Sequence, residues 1–198
     1  MEYLVVGQFE SSSAATSLCI QMWPDKPAVI AELSFGIIGT ADDAVVKRVL
    51  LTGMSGTGKS TLITALAARG FKAVDMDEPG WSEYGPDGDW VWREDRMQDL
   101  LSTRDVDILF VSGCAENQVK FYPQVDHIIL LSAPANVLVE RLTTRTNNPY
   151  GRHPGDLAEV LGYLETVEPR LRRSAGHEID ASAPLDQVVA TVLRLVEV

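Results

Sequence analysis

The stretch VLLTGMSGTGKSTLITAL, residues 49–66, constrains this chain more than any other feature. An apolar run breaks into glycines, ends at a lysine and two hydroxyls, and passes into a second apolar run with helical spacing. Gly53, four residues, and then Gly58-Lys59-Ser60 match G-x-x-x-x-G-K-[ST], the Walker A pattern, after a strand and before a helix. Glycines permit the tight turns that aim backbone N–H groups at a single point. A helix starting near Lys59 adds the positive end of its dipole there. Such a cradle fits a polyphosphate. Gly53, Ser55, Gly56, Thr57, Gly58, Lys59, Ser60 and Thr61 would form it, with Lys59 reaching the terminal phosphates and the Ser60 hydroxyl ligating Mg²⁺. The expected nucleotide is ATP; no N-K-x-D guanine signature occurs.

From Val46 onward, strand and helix patterns alternate with short punctuation. Strands are predicted over 46–53, 71–77, 106–113, 127–133 and 177–182. Helices are predicted over 58–70, 90–104, 134–146, 156–175 (broken near Pro169) and 184–198. Residues 78–89 and 147–155 read as loops, rich in glycine and proline. This alternation predicts an α/β three-layer sandwich: a five-stranded parallel sheet with helices on both faces, right-handed crossovers and a short lid. Residues 46–198 account for that domain. Residues 1–45 do not fit the rhythm and form an N-terminal extension to which we assign no role.

Composition bounds the partners. With 45% apolar residues among 198, a sizeable core can be buried. The net charge of -11 repels nucleic-acid phosphates and anionic membranes, so neither is an expected partner. The longest apolar-leaning run, 33–41, falls short of the ~20 residues of a membrane span. Cys19 and Cys114 lie far apart with no metal-ligand spacing. A cytoplasmic protein, monomer or homodimer, is expected.

The phosphate loop does not by itself choose a reaction. VDMDE places Asp75 and Asp77 at the end of the second predicted strand, and alternation would set both on one side of the sheet at its carboxyl edge. Two carboxylates beside a triphosphate fit one partner for hydrated Mg²⁺ and one for an acceptor hydroxyl. The third predicted strand ends in Ser112-Gly113, where many triphosphatases carry an acid. Arg141 and Arg145 share a helix face, and Arg152 follows in a loop with Pro149, Gly151 and Pro154. Arginines placed so can close over a transferring phosphoryl group and neutralise its charge. Arg93 and Arg96 follow Trp90 and Trp92, and one of them can grip an acceptor. Trp81 can join an aromatic wall.

On these residues the chain resembles the small-molecule kinases of the nucleoside-monophosphate-kinase group, over roughly 46–198, which implies strand order 2-3-1-4-5. Within the group it resembles shikimate and gluconate kinases, and it is similar to a set of actinobacterial ATP-binding proteins. Their D-x-D matches Asp75 and Asp77, their aromatic-Arg pair Trp92-Arg93, and their glycine after the third strand Gly113. ERLTTRTNNPYGR is similar to the helix-to-lid segment of adenylate kinases, and the resemblance places Ser182, Ala183 and Pro184 near adenine. Two positions depart. Val167 stands where shikimate kinases carry a carboxylate-gripping arginine, and Gly113-Cys114 replaces a triple glycine. The acceptor therefore stays open among polyols, nucleosides and amino sugars.

The expected activity is Mg²⁺-assisted transfer of the γ-phosphoryl of ATP to a hydroxyl of a small metabolite. Lys59, Asp77, Arg145 and Arg152 are the expected catalytic residues. Arg141 helps hold the nucleotide. Ser60 and, through water, Asp75 hold the metal. Asp75, Asp77, Trp81, Arg93 and Gly113 line the acceptor site. The alternatives are a nucleotide-binding module with slow ATPase activity and a kinase with a macromolecular acceptor.

Overall fold

The strand ahead of the glycine loop forms the centre of the sheet. The computed structural model describes residues 45–146, 148 and 150–197; the N-terminal extension therefore lies outside the described residues. Five strands form the main sheet: β1 (Lys47–Thr52), β2 (Lys72–Asp75), β5 (Ile108–Ser112), β6 (His127–Ser132) and β7 (His177–Asp180). Their order is β2-β5-β1-β6-β7, and every pair is parallel. Numbered among themselves, they run 2-3-1-4-5, as the resemblance implies.

β1 and β5 are buried on both sides, so they read as continuous apolar runs. One face packs Val49, Leu51 and Phe110 against Leu62, Ile63 and Leu66 of α1 (Lys59–Ala67) and Val188, Val189 and Val192 of α6 (Leu185–Leu195). The opposite face packs Leu50, Leu109 and Val111 against Met97, Leu100 and Leu101 of α2 (Glu94–Leu101) and Phe121 of a 3₁₀ segment, Glu116–Gln124. A smaller cluster joins Met54 and Leu130 to Leu138 of α3 (Ala135–Thr144) and Leu171 of α5 (Glu168–Ser174). α4 (Pro154–Thr166) ends one residue before α5. The break falls beside Pro169, which lacks an N–H for a continuing helix.

Two expectations are corrected. The helix expected over 90–104 starts only at Glu94. Trp90–Trp92 is instead strand β4, paired antiparallel with β3 (Ser82–Tyr84) inside the expected 78–89 loop. Asn117 clamps this hairpin from the 3₁₀ segment: its Oδ1 accepts from the Trp92 N–H at 2.9 Å, and its Nδ2 donates to the Trp92 carbonyl at 2.9 Å. The second strand stops at Asp75 rather than 77. The Glu78 N–H turns back to the Asp75 carbonyl at 3.2 Å, so Asp77 stands in a turn and not beside Asp75 on the strand.

Candidate active site

The loop between β1 and α1 is closed by its own bonds. The Thr57 Oγ1 donates to the Met54 carbonyl at 2.8 Å, and the Thr57 N–H turns to the same oxygen at 3.3 Å. Gly56 and Gly58 take φ of 89° and 92°, conformations that a side chain would strain. At Gly53 a Cβ would run into the Leu131 carbonyl oxygen. Lys59 is buried, its Nζ donating to the carbonyls of Gly53 at 2.8 Å and Met54 at 3.3 Å. A lysine held this way lies along the loop.

A cleft of about 430 Å³ opens over this loop. Ser55, Gly56, Thr57, Gly58, Lys59, Ser60 and Thr61 line it together with Asp77, Arg141 and Arg145. Ala181, Ala183, Leu185 and Val188 give it an apolar flank. Arg141 ties the two sides, with Nη2 donating to the Ala181 carbonyl at 2.8 Å. Ser182 turns away, its hydroxyl bonded to Asp180 at 2.6 Å. Arg145 donates to the Tyr150 carbonyl and approaches Ser55 Oγ at 3.5 Å, while its buried Nε has no partner.

Electrostatics gather at Asp77. Solvent reaches the residue through the cleft mouth, yet the protein atoms packed round its carboxyl raise its proton affinity above the ordinary carboxylate value. The charge of Asp75 adds to this, while Lys59, the Trp90 indole and Arg145 oppose it. Asp75 is buried, and its Oδ1 accepts the Asp77 N–H at 3.1 Å. Arg145 is itself held below the usual arginine value, first by burial and then by the charge of Arg152. Arg152 is exposed and donates to the Arg145 carbonyl from outside the cleft lining.

The edge of the sheet fits a hydrated hard cation. Ile108 and Phe110 face α1, so Ser112 at the end of the same strand faces it too, as does its register partner Asp75. Ser112 is fully buried, and its Oγ has no hydrogen-bond partner. An orphan hydroxyl, a buried carboxylate and the Ser60 hydroxyl at the α1 terminus are the oxygen donors Mg²⁺ takes, directly or through water.

The other expected residues are placed differently. On the hairpin, Ser82 opposes Trp92 and Tyr84 opposes Trp90, so these four share a face. Arg93, extended like the strand before it, takes the other face. There its Nε lies 3.9 Å from Glu83 and its Nη2 3.1 Å from Asp95. Trp81 packs on the α2 cluster beneath the Arg96 guanidinium, 6.0 Å above its ring. Gly113 lies against Trp92: a Cβ there would stand 3.0 Å from Trp92 Cζ2 and 3.1 Å from Met76 Cβ. The reading from sequence missed the hairpin, the Asn117 clamp and the orphan Ser112 hydroxyl. The first left a signal, since S-E-Y and W-V-W flank a G-P-D-G-D turn. The other two depend on contacts between distant segments.

A family model described as AAA domain matches residues 49–162, more than half of the chain. The chain belongs to the AAA domain family. This AAA domain protein is 26% identical over 174 residues to shikimate kinase 2 of Yersinia enterocolitica, covering 76% of this chain and 96% of that protein. An HPr kinase/phosphorylase of Xanthomonas campestris pv. campestris is 32% identical over 109 residues, which are 54% of this chain and 32% of the relative. Among solved structures, shikimate kinase from Acinetobacter baumannii in complex with shikimate matches with a TM-score of 0.57 at 19% identity, covering 77% of this chain and 94% of that one. At that identity the match shows a common fold. Among the described residues no helix is long and apolar enough to cross a membrane.

Proposed function

We propose that this protein transfers the γ-phosphoryl group of ATP to a hydroxyl of a small metabolite. One observation carries the reading: the phosphate loop with its Lys59 and a carboxylate, Asp77, line one and the same cleft. The similarity to a shikimate kinase over nearly all of that relative's length supports it.

The loop N–H groups and Lys59 bind the phosphates, and Ala181, Ala183 and Leu185 flank the base. Bound Mg²⁺ supplies charge neutralisation across the phosphates, held by Ser60 and, through water, by Asp75 and Ser112. Asp77 orients the acceptor hydroxyl and takes its proton at a carboxylate oxygen. Its raised proton affinity suits that work, because a base nearer neutrality accepts the proton more readily. Arg145 covers the transferring group, and Arg152 supports the segment that carries it. Closure of that segment excludes water.

The test is a panel of hydroxylated metabolites incubated with Mg²⁺ and ATP and read by mass spectrometry. A phosphorylated product is expected. Slow release of inorganic phosphate with every acceptor would favour the regulatory ATPase reading.

A further inference from the structure

Arg145 enters the phosphate cleft on one anchor. Its Nη2 donates to the Tyr150 carbonyl and comes within 3.5 Å of Ser55 Oγ, while its buried Nε has no partner. Lys59 Nζ lies on the carbonyls of Gly53 and Met54, so these residues mark the end of the cradle that receives the terminal phosphate. Ser55 is the next residue, which puts Arg145 at that same end. A long side chain with many rotatable bonds stays there only while the carbonyl that accepts it stays in place.

That carbonyl is held from the other side of its own peptide. The Tyr150 C=O and the Gly151 N–H belong to one planar unit and point in opposite directions. The Gly151 N–H donates to Asp156 Oδ2 at 3.2 Å. Cation, carbonyl, amide and carboxylate thus follow one another. A carboxylate on the N–H polarises the peptide and makes its oxygen a better acceptor for the guanidinium. The peptide has little room to turn. Gly151 is buried with a φ of 89°, and a Cβ on it would stand 2.9 Å from Leu142 Cδ2 of α3. The Tyr150 hydroxyl donates to Glu159 Oε2 at 3.0 Å, and Arg152 Nε donates to the Arg145 carbonyl at 3.1 Å.

Asp156 stands in the first turn of α4, where a carboxylate serves the helix dipole. Here it is half-buried and reaches beyond its own helix to the peptide that anchors Arg145. It lies outside the cleft lining, so any effect on a bound nucleotide passes through Arg145. We propose that Asp156 is a positioning residue, holding Arg145 over the terminal phosphate through the Tyr150–Gly151 peptide. This rests on the kinase reading, in which Arg145 covers the transferring group.

The experiment uses the full chain with Mg²⁺ and compares calorimetric affinities for a non-hydrolysable ATP analogue and for ADP, which lacks the phosphate that Arg145 covers. Arg145→Ala lowers the preference for the triphosphate about tenfold. Asp156→Ala lowers it about threefold to tenfold and leaves ADP affinity within about twofold. Asp156→Asn, which keeps an oxygen for the Gly151 N–H, retains most of the preference. In the Arg145→Ala background, Asp156→Ala has no further effect, because both act through one guanidinium. A helix-dipole role alone would lower both affinities together or neither. Equal loss of both affinities, a preference untouched by Asp156→Ala or by Arg145→Ala, an Asn variant as impaired as the Ala variant, or additive losses in the double variant would each overturn the proposal. None of these measurements needs an acceptor. A metabolite panel without a phosphorylated product removes the kinase reading and leaves the Asp156 result standing. Phosphorylation of an acceptor together with a preference untouched by Asp156→Ala does the reverse.

Discussion

Ser112→Ala separates what the fold needs from what the site needs. The Ser112 hydroxyl is fully buried at the end of β5 and has no hydrogen-bond partner. A buried polar group left unpaired costs about 1–3 kcal/mol. Alanine keeps the backbone bonds of the strand and removes only that hydroxyl. The variant, without nucleotide and with chelator present, is therefore more stable by about 1–2 kcal/mol, a rise in Tm of about 2–8 °C for a domain of this size. With Mg²⁺ and ATP the order changes. If Ser112 helps hold the hydrated ion, its loss weakens Mg-ATP binding about tenfold, and ligand-induced stabilisation falls by about 1.4 kcal/mol. Urea titrations with and without Mg-ATP read both effects. Destabilisation of the nucleotide-free variant would show that the hydroxyl is paired inside the fold. Unchanged Mg-ATP stabilisation would place the ion away from β5.

Asp77 gives a pH signature. Burial raises its folded proton affinity, so the unfolded chain ionises first as pH rises. Stability is therefore lost between the ordinary carboxylate value and the raised one, and the penalty is full above both. Asp77→Asn stabilises the nucleotide-free protein at neutral pH, and the gain vanishes below about pH 4; a gain independent of pH would contradict the cause given. Gly113→Ala would press a Cβ to 3.0–3.1 Å from Trp92 and Met76, both fully buried. It should cost about 1–3 kcal/mol in urea unfolding, and a neutral result would mean that the hairpin yields. Arg172 bonds Glu168, whose side chain is 10% exposed, and Glu178, each at 2.8 Å. Arg172→Met should cost about 1–3 kcal/mol by leaving Glu168 unpaired, and Glu178→Gln under about 1 kcal/mol; equal costs would contradict this.

The centre of the sheet was legible because β1 and β5 are buried on both faces and each is followed by glycine. Val49–Thr52 and Ile108–Ser112 need no distant partner to declare themselves. The phosphate loop was legible because its φ values demand glycine at fixed spacing, and Gly56 and Gly58 adopt them. The acceptor side was harder to read. Trp90 and Trp92 have spacing that serves a strand or the first turn of a helix, and Asn117, 25 residues away, decides between them. Arg93 follows from that choice, since pairing Trp90–Trp92 as a strand turns it to the face where Glu83 and Asp95 wait. Asp77 belongs to a turn closed by the Asp75 carbonyl, a bond that strand alternation does not foresee.

The most direct measurement is Mg-ATP binding and turnover in three proteins side by side: the natural chain, Lys59→Ala and Asp77→Asn. Lys59→Ala should lose tight binding, whereas Asp77→Asn should bind as well as the natural chain or better, with its phosphoryl transfer lost. Undiminished ATP affinity in Lys59→Ala, or equal loss of affinity and turnover in Asp77→Asn, would contradict a cleft that grips phosphates at one end and activates an acceptor at the other.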